Sequence, residues 1–257
     1  MKYYLYKLFY FLYLKTFFKK IISFQFISKV NRYLINHKQT NFIGMNNKEV
    51  FDLIYKNKYW NDSTNQDNFS SGLGTENKNA EHYIQYLNQF ISSHNIKSIV
   101  DIGCGDFKIG KKICEKNINI YYTGLDVSEV IIENNKKLHA TENIKFIYSD
   151  ASKDSLPNAD LCCIRQVLQH LNNNDISNIL KKLKQFKYVL VTEHLPIDEF
   201  LLKKNADKLT GPDIRIYDGS GVFISEHPFN IECKEVLSYR EDVDYIKAEI
   251  KTFLVEN

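Results

Sequence analysis

From Glu81 onward the chain alternates short apolar runs with amphipathic stretches, and that alternation predicts its elements. Tyr83, Ile84, Tyr86, Leu87, Phe90 and Ile91 recur at helical spacing. Residues 96–102 form a strand-like run that breaks into glycines. Residues 109–116 read as a helix, 118–125 as a second strand and 130–138 as the next helix. Residues 144–148 read as a third strand and 160–164 as a fourth. Asn174 or Asp175 is placed to cap a helix bearing Ile176, Ile179, Leu180 and Leu183. Residues 188–192 read as a fifth strand. Strands separated by helices imply parallel βαβ units, with helices on both faces of one sheet. The end of the chain differs. Two β-rich runs, 229–239 and 245–255, are joined by residues 240–244, too short a link for a parallel return, so an antiparallel hairpin is expected. No internal repeat is evident.

The segment before Glu81 changes the picture. Residues 1–38 mix aromatics and aliphatics with lysines, and nine lysines and arginines precede Glu49 without a single acid. The whole chain carries a net charge of +3, so the remainder carries −6. The longest apolar run, 8–14, is shorter than the roughly 20 residues a bilayer crossing needs. Three readings stay open: a helix lying at an anionic membrane surface, an amphipathic helix packed on its own domain or a partner, and an upstream start with Met45 as the first residue. The expected organisation is a basic aromatic extension over 1–44, a cap and lid segment over 45–80 and the main domain over 81–257. Cysteine usage points to a cytoplasmic location, and the first reading adds peripheral contact at the inner face of the membrane through 1–38. Five cysteines, Cys104, Cys114, Cys162, Cys163 and Cys233, form no CxxC pair, which points to reduced structural thiols and no metal site. The acidic main domain disfavours nucleic acid.

Ligands of open α/β sheets bind beyond the carboxyl ends of the strands. Gly103 and Gly105 stand there, letting backbone approach a ligand closely. Asp101 lies two residues earlier. Asp126 follows the second strand, where a carboxylate accepts both hydroxyls of a ribose, and Asp150 follows the third, where an acid accepts from an adenine amine. Val127 and Ala151 give a flat base an apolar slot. So many acids suit an adenosine with a cationic amino-acid tail better than a dinucleotide. Lys108 stands where the dinucleotide GxGxxG pattern needs its third glycine, which weighs against a nicotinamide dehydrogenase.

The segment Asp101-Ile102-Gly103-Cys104-Gly105, with Asp126, Asp150 and Ile164-Arg165-Gln166-Val167-Leu168-Gln169-His170-Leu171, resembles class I S-adenosylmethionine-dependent methyltransferases. The resemblance implies an α/β fold: a doubly wound, seven-stranded Rossmann-like sheet closed by an antiparallel C-terminal hairpin. It implies S-adenosyl-L-methionine as cofactor, held by Asp101, Gly103, Gly105, Asp126, Val127, Asp150, Ala151 and Arg165. Phe69-Ser70-Ser71-Gly72-Leu73-Gly74-Thr75, residues 164–171 and residues 213–222 resemble bacterial methyltransferases found with surface-polysaccharide biosynthesis. That narrower likeness implies O-methylation of a sugar or sugar-linked metabolite. Ser71, Gly72 and Thr75 are expected to close over the cofactor.

A hydroxyl acceptor benefits from a base. His194 is the first choice and His170 the second, because neutral imidazole is available near pH 7, with Glu193 beside them. Gln166, Arg215, Tyr217 and Ser220 are expected to hold the acceptor, with Arg215 suited to phosphate or carboxylate. The alternatives are a non-catalytic membrane-associated adaptor on the same fold and the nicotinamide-dependent dehydrogenase.

Overall fold

The computed structural model describes residues 42–61, 69–75, 77–244 and 246–257. The basic extension, except residues 42–44, lies outside the described residues, and so does the expectation of membrane contact. Among the described residues no helix is long and apolar enough to cross a membrane.

The elements follow the expected order. They are α1 (Asn47–Lys56), α2 (Asn77–Ser93), β1 (Ser98–Ile102), α3 (Lys108–Lys116), β2 (Tyr121–Asp126), α4 (Glu129–His139), β3 (Ile144–Tyr148), β4 (Leu161–Arg165), α5 (Asn173–Lys182), β5 (Tyr188–Pro196), β6 (Lys234–Arg240) and β7 (Ala248–Glu256). The sheet runs β3-β2-β1-β4-β5-β7-β6. The pairs from β3 to β5 are parallel, and β7 is antiparallel to both β5 and β6. This is the doubly wound seven-stranded sheet with a C-terminal hairpin. The central strands are apolar on both faces because helices cover both. Neighbouring Cys162 and Cys163 on β4 point to opposite layers of the core, as strand alternation demands, and all five cysteines are free.

Several boundaries move, each for a local reason. Asp160 precedes β4; its carboxylate accepts the Lys97 and Ser98 amides and ties the two strand entries together. Asn172, not Asn174 or Asp175, caps α5, its side chain accepting the Asp175 amide at 2.9 Å. Residues 229–233 are outside the strand: the Phe229 and Asn230 amides close back on the Glu226 carbonyl, and the chain from 230 to 233 is irregular. β5 continues four residues past Thr192, paired to β7 along its whole length. Helix α2 begins at Asn77, so a division after residue 80 falls inside it.

Helix α1 is part of the same core. Val50, Phe51 and Ile54 pack with residues of β1, β4 and β5. Asn46 and Glu49 form a capping box at its start. Its Asp52 reaches α4: Ser128, the residue before that helix, donates its hydroxyl to Asp52 Oδ1 at 2.8 Å, and the Val130 amide donates there at 3.3 Å.

Candidate functional site

The carboxyl ends of β1, β2 and β3 and the loops above β4 and β5 enclose a cavity of about 840 Å³. Gly103 and Gly105 turn the chain out of β1 at φ of +73° and +54°, which L side chains rarely adopt. A Cβ at Gly103 would come within 2.4 Å of Val167 Cγ2, and one at Gly105 within 2.3 Å of Ser71 Oγ. Gly110 lies within α3, where a Cβ would strike the Phe107 ring and the Tyr122 hydroxyl at 2.6 Å, so it serves helix packing.

Asp101, Asp126 and Asp150 all line the cavity, with Val127 and Ala151 between them. Asp126 Oδ2 accepts the Gly105 amide at 3.1 Å and Oδ1 the Ser128 amide at 2.9 Å, leaving each oxygen a further lone pair. Burial pushes its pKa to about 6, against those amides. Asp101 accepts from the Tyr122 hydroxyl at 2.5 Å, and burial raises it to about 6 as well. Charging either acid in the folded protein therefore asks for a cationic or hydrogen-bonding partner. Asp150 differs. Burial pushes it up, but the Ser152 hydroxyl and the Lys153 ammonium outweigh that and hold it below the usual carboxylate range. Asn47 of α1 also reaches it, at 3.4 Å. Asp150 therefore meets the cavity with a carboxylate already engaged by its neighbours.

The 69–75 segment crosses the glycine turn. The Ser71 amide donates to Asp106 Oδ2 at 3.0 Å, the Asp106 amide donates to Ser71 Oγ at 2.8 Å, and the Tyr55 hydroxyl lies 3.0 Å from the same oxygen. Arg165, at the end of β4, lines the cavity, donates to the Gly74 carbonyl at 2.8 Å and lies over the Tyr83 ring. Ser71, Gly72, Gly74 and Thr75 all border the cavity.

On the far side, the turn after β4 presents Gln166, Gln169 and His170 to the cavity. Gln166 holds a positive φ of 56°. The His170 ring packs on Trp60 at 5.1 Å, and its buried Nδ1 has no hydrogen-bond partner. Burial and then Lys208 depress its pKa to about 3, so the imidazole is neutral. Trp60 Nε1 donates to the Pro212 carbonyl at 3.2 Å, and Lys208 Nζ donates to the Asp213 carbonyl at 2.9 Å. Tyr217 also lines the cavity, and its hydroxyl donates to Asp244 at 3.0 Å.

Four expected roles need correction. Because β5 runs on to Pro196, Glu193 and His194 lie within the strand and face opposite sides. Glu193 is fully buried away from the cavity, and its Oε1 accepts the Leu168 amide at 3.0 Å. Burial raises its pKa to about 8. His194 does reach the cavity, but its Nε2 is held by the Glu241 carbonyl at 2.6 Å and burial lowers its pKa to about 4. With Nε2 committed to that carbonyl, it serves as a strut. Arg215 is 1% exposed and gives its guanidinium to the Ala206 and Leu171 carbonyls, so it holds the 197–233 connection together instead of facing a ligand. Ser220 is equally buried, its hydroxyl accepting the Ala206 amide at 3.0 Å.

Sequence reasoning missed Asn47, Tyr55, Trp60, Gln169 and Glu241, all of which line the cavity. The spacing of Tyr55 and Tyr59 beside the lone tryptophan was a signal for an aromatic wall; nothing local marked Glu241.

A model of the O-methyltransferase domain family matches residues 35–195. Pluviatolide O-methyltransferase of Sinopodophyllum hexandrum is 30% identical over 90 residues, 35% of this chain and 23% of that protein. The chain thus spans about a quarter of the length of the curated relatives it matches. The solved structure of PigF with SAH superposes with a TM-score of 0.55 at 13% identity, over 93% of this chain and 72% of that one. The N-methyltransferase NodS from Bradyrhizobium japonicum WM9, in complex with S-adenosyl-L-homocysteine, does so at 0.51 and 14% identity, over 70% and 88%. At these identities the two structures speak for the fold.

Proposed function

The chain belongs to the O-methyltransferase domain family, and on that premise we propose that it is an S-adenosylmethionine-dependent enzyme that methylates a hydroxyl of a sugar or sugar-linked small molecule. One observation carries the cofactor half. Two glycines at positive φ, bracketed by the buried acids Asp101 and Asp126, open one face of the cavity. Such a cradle fits a cofactor with an ammonium tail and a ribose. Asp101 takes the ammonium, Gly103 and Gly105 give the tail room, and Asp126 takes the ribose hydroxyls. Val127 and Ala151 flank the base beside Asp150.

The cofactor supplies a methyl group activated by a sulfonium. The protein's part is to align an acceptor hydroxyl, exclude water and take up the proton that the hydroxyl loses. His170 is the base in this reading: its ring is neutral, faces the cavity and has an unpartnered nitrogen. Gln166 and Tyr217 contact the acceptor. The Trp60 ring opposite amides and carboxylates suits a molecule with an apolar ring face and polar edges, which is the support for a sugar.

Calorimetry with S-adenosyl-L-homocysteine tests the cofactor half. Wild type binds, and Asp126→Ala weakens binding roughly tenfold to a hundredfold, the loss expected for hydrogen bonds to a charged group. Absence of binding, or an unaltered affinity in the variant, overturns the reading.

A further inference from the structure

The charge on the cavity wall is one-sided. Asp213, Glu241, Asp242 and Asp244 border the same cavity as the three strand-end acids, and among the described residues Arg165 is the single lysine or arginine lining it. Arg165 is already committed to the Gly74 carbonyl, to Gln166 and to the Tyr83 ring. Arg215, the residue best suited to grip a phosphate, is buried elsewhere. Among the described residues the wall offers an anionic acceptor no lysine or arginine but Arg165.

The acids are not equivalent. Asp242 pairs with Arg240 and accepts the Ala248 amide, and Asp244 accepts the Tyr217 hydroxyl. Glu241 stands apart. Its backbone is pinned on both sides, the amide donating to the Ala248 carbonyl at 3.1 Å and the carbonyl accepting from His194 Nε2 at 2.6 Å. Its half-buried carboxylate makes no hydrogen bond or ion pair among the described residues. Burial raises its pKa, and only the charge of Arg165 opposes the rise. Gln169, 5% exposed and on the same wall, is a further unmatched group. Its Nε2 donates to the Gln166 carbonyl at 3.3 Å, which sets the orientation of the amide and leaves Oε1 without a partner. Glu241 and Gln169 Oε1 are both acceptors; the other buried wall atoms without a partner are His170 Nδ1, assigned to the proton, and Arg165 Nε, whose charge already acts on Glu241. A half-buried carboxylate without a donor is costly, and a donor-rich cation relieves it.

We infer that the acceptor is a hydroxylated molecule carrying a protonated amine, with Glu241 as the counter-ion of that amine and Gln169 Oε1 accepting a further hydrogen bond from the same molecule. The inference rests on the methyltransferase reading and narrows it. An ammonium brings three donors to a wall short of them. Phosphorylated and nucleotide-linked sugars are rejected, because their anions would meet carboxylates in a poorly solvated cavity. The amine itself is not methylated while it is protonated, since its lone pair is used. The hydroxyl oxygen forms the new bond to carbon, the carbon–sulfur bond of the sulfonium breaks to leave a neutral thioether, and the hydroxyl proton passes to His170.

Two matched probe sets test this on the full chain: dopamine, 4-ethylcatechol and 3,4-dihydroxyphenylacetate; and glucosamine, glucose and glucuronate. Transfer of labelled methyl from S-adenosylmethionine is measured at pH 7.5, with S-adenosyl-L-homocysteine binding followed in parallel. In at least one set kcat/KM falls in the order amine, neutral, acid, the amine leading the neutral member roughly tenfold to a hundredfold. N-acetylation of that amine removes the lead in wild type. Glu241→Gln removes it too, with homocysteine-product binding unchanged, while Glu241→Asp keeps part of it. The inference is overturned if the acid member is the best acceptor, if protein that binds the product turns over neither amine, or if the lead survives N-acetylation or Glu241→Gln. Failure of wild type to bind S-adenosyl-L-homocysteine overturns the methyltransferase reading instead, so the two failures are told apart.

Discussion

The cofactor half of the cavity is built from the ends of three successive strands, whereas the acceptor half is built from three loops far apart in the chain. At the first, Asp101, Gly103, Gly105, Asp126 and Asp150 fall where a strand stops, and strand ends are set by local pattern. At the second, the turn after β4, the strap of residues 208–217 and the β6–β7 connection meet only because β7 inserts between β5 and β6. A site made of strand ends is written in sequence order. A site made of loop meetings is written in the topology.

The largest expected effect falls on the acceptor half. His170→Ala lowers kcat about 10²- to 10⁴-fold, the usual worth of a general base, and leaves the affinity for S-adenosyl-L-homocysteine within about twofold. Labelled-methyl transfer to the best probe acceptor, with calorimetry alongside, checks both. An equal loss of product binding would show that the two halves are not separable.

Next comes the glycine turn. Gly105→Ala places a Cβ against Ser71 Oγ at a backbone angle that alanine resists. Strain of this kind costs about 1–3 kcal/mol, so product affinity falls about tenfold to a hundredfold by calorimetry. Unchanged affinity would mean that the crossing segment is not part of the cofactor half.

The smallest effect is on stability. Glu193 supports the turn that carries Gln169 and His170, and its pKa rises from 4.5 unfolded to about 8 folded. Because the folded protein holds that proton more tightly, the stability it contributes is fully present below about pH 4.5 and is lost as pH rises through about 8. Glu193→Gln imitates the protonated form. Its thermal midpoint therefore gains on wild type as pH rises, by about 2–4 °C for each kcal/mol recovered, with little difference at pH 5. A constant difference from pH 5 to pH 8.5 in thermal scans would refute the raised pKa.

The same contrast explains what was legible beforehand. The apolar runs marked the central strands, because a strand buried on both faces needs one, and the glycines with their acids marked the cradle. His194 and Arg215 misled for one reason: residue type announces chemistry, but orientation decides it. β5 runs four residues further than its apolar run suggests, and this turns Glu193 inward and brings His194 to the Glu241 carbonyl. Arg215 looked like an anion grip and proved to be a loop staple. Glu241 gave no local sign, since its meaning comes from a histidine 47 residues earlier.

Helix α4, next to Asp126, is not capped by its own Ser128; the hydroxyl goes to Asp52, 76 residues earlier. The order of the loop after β2 is thus borrowed from α1. Helix α1 is thereby tied to two of the three strand-end acids: to Asp150 directly through Asn47, and to Asp126 by way of Asp52 and Ser128.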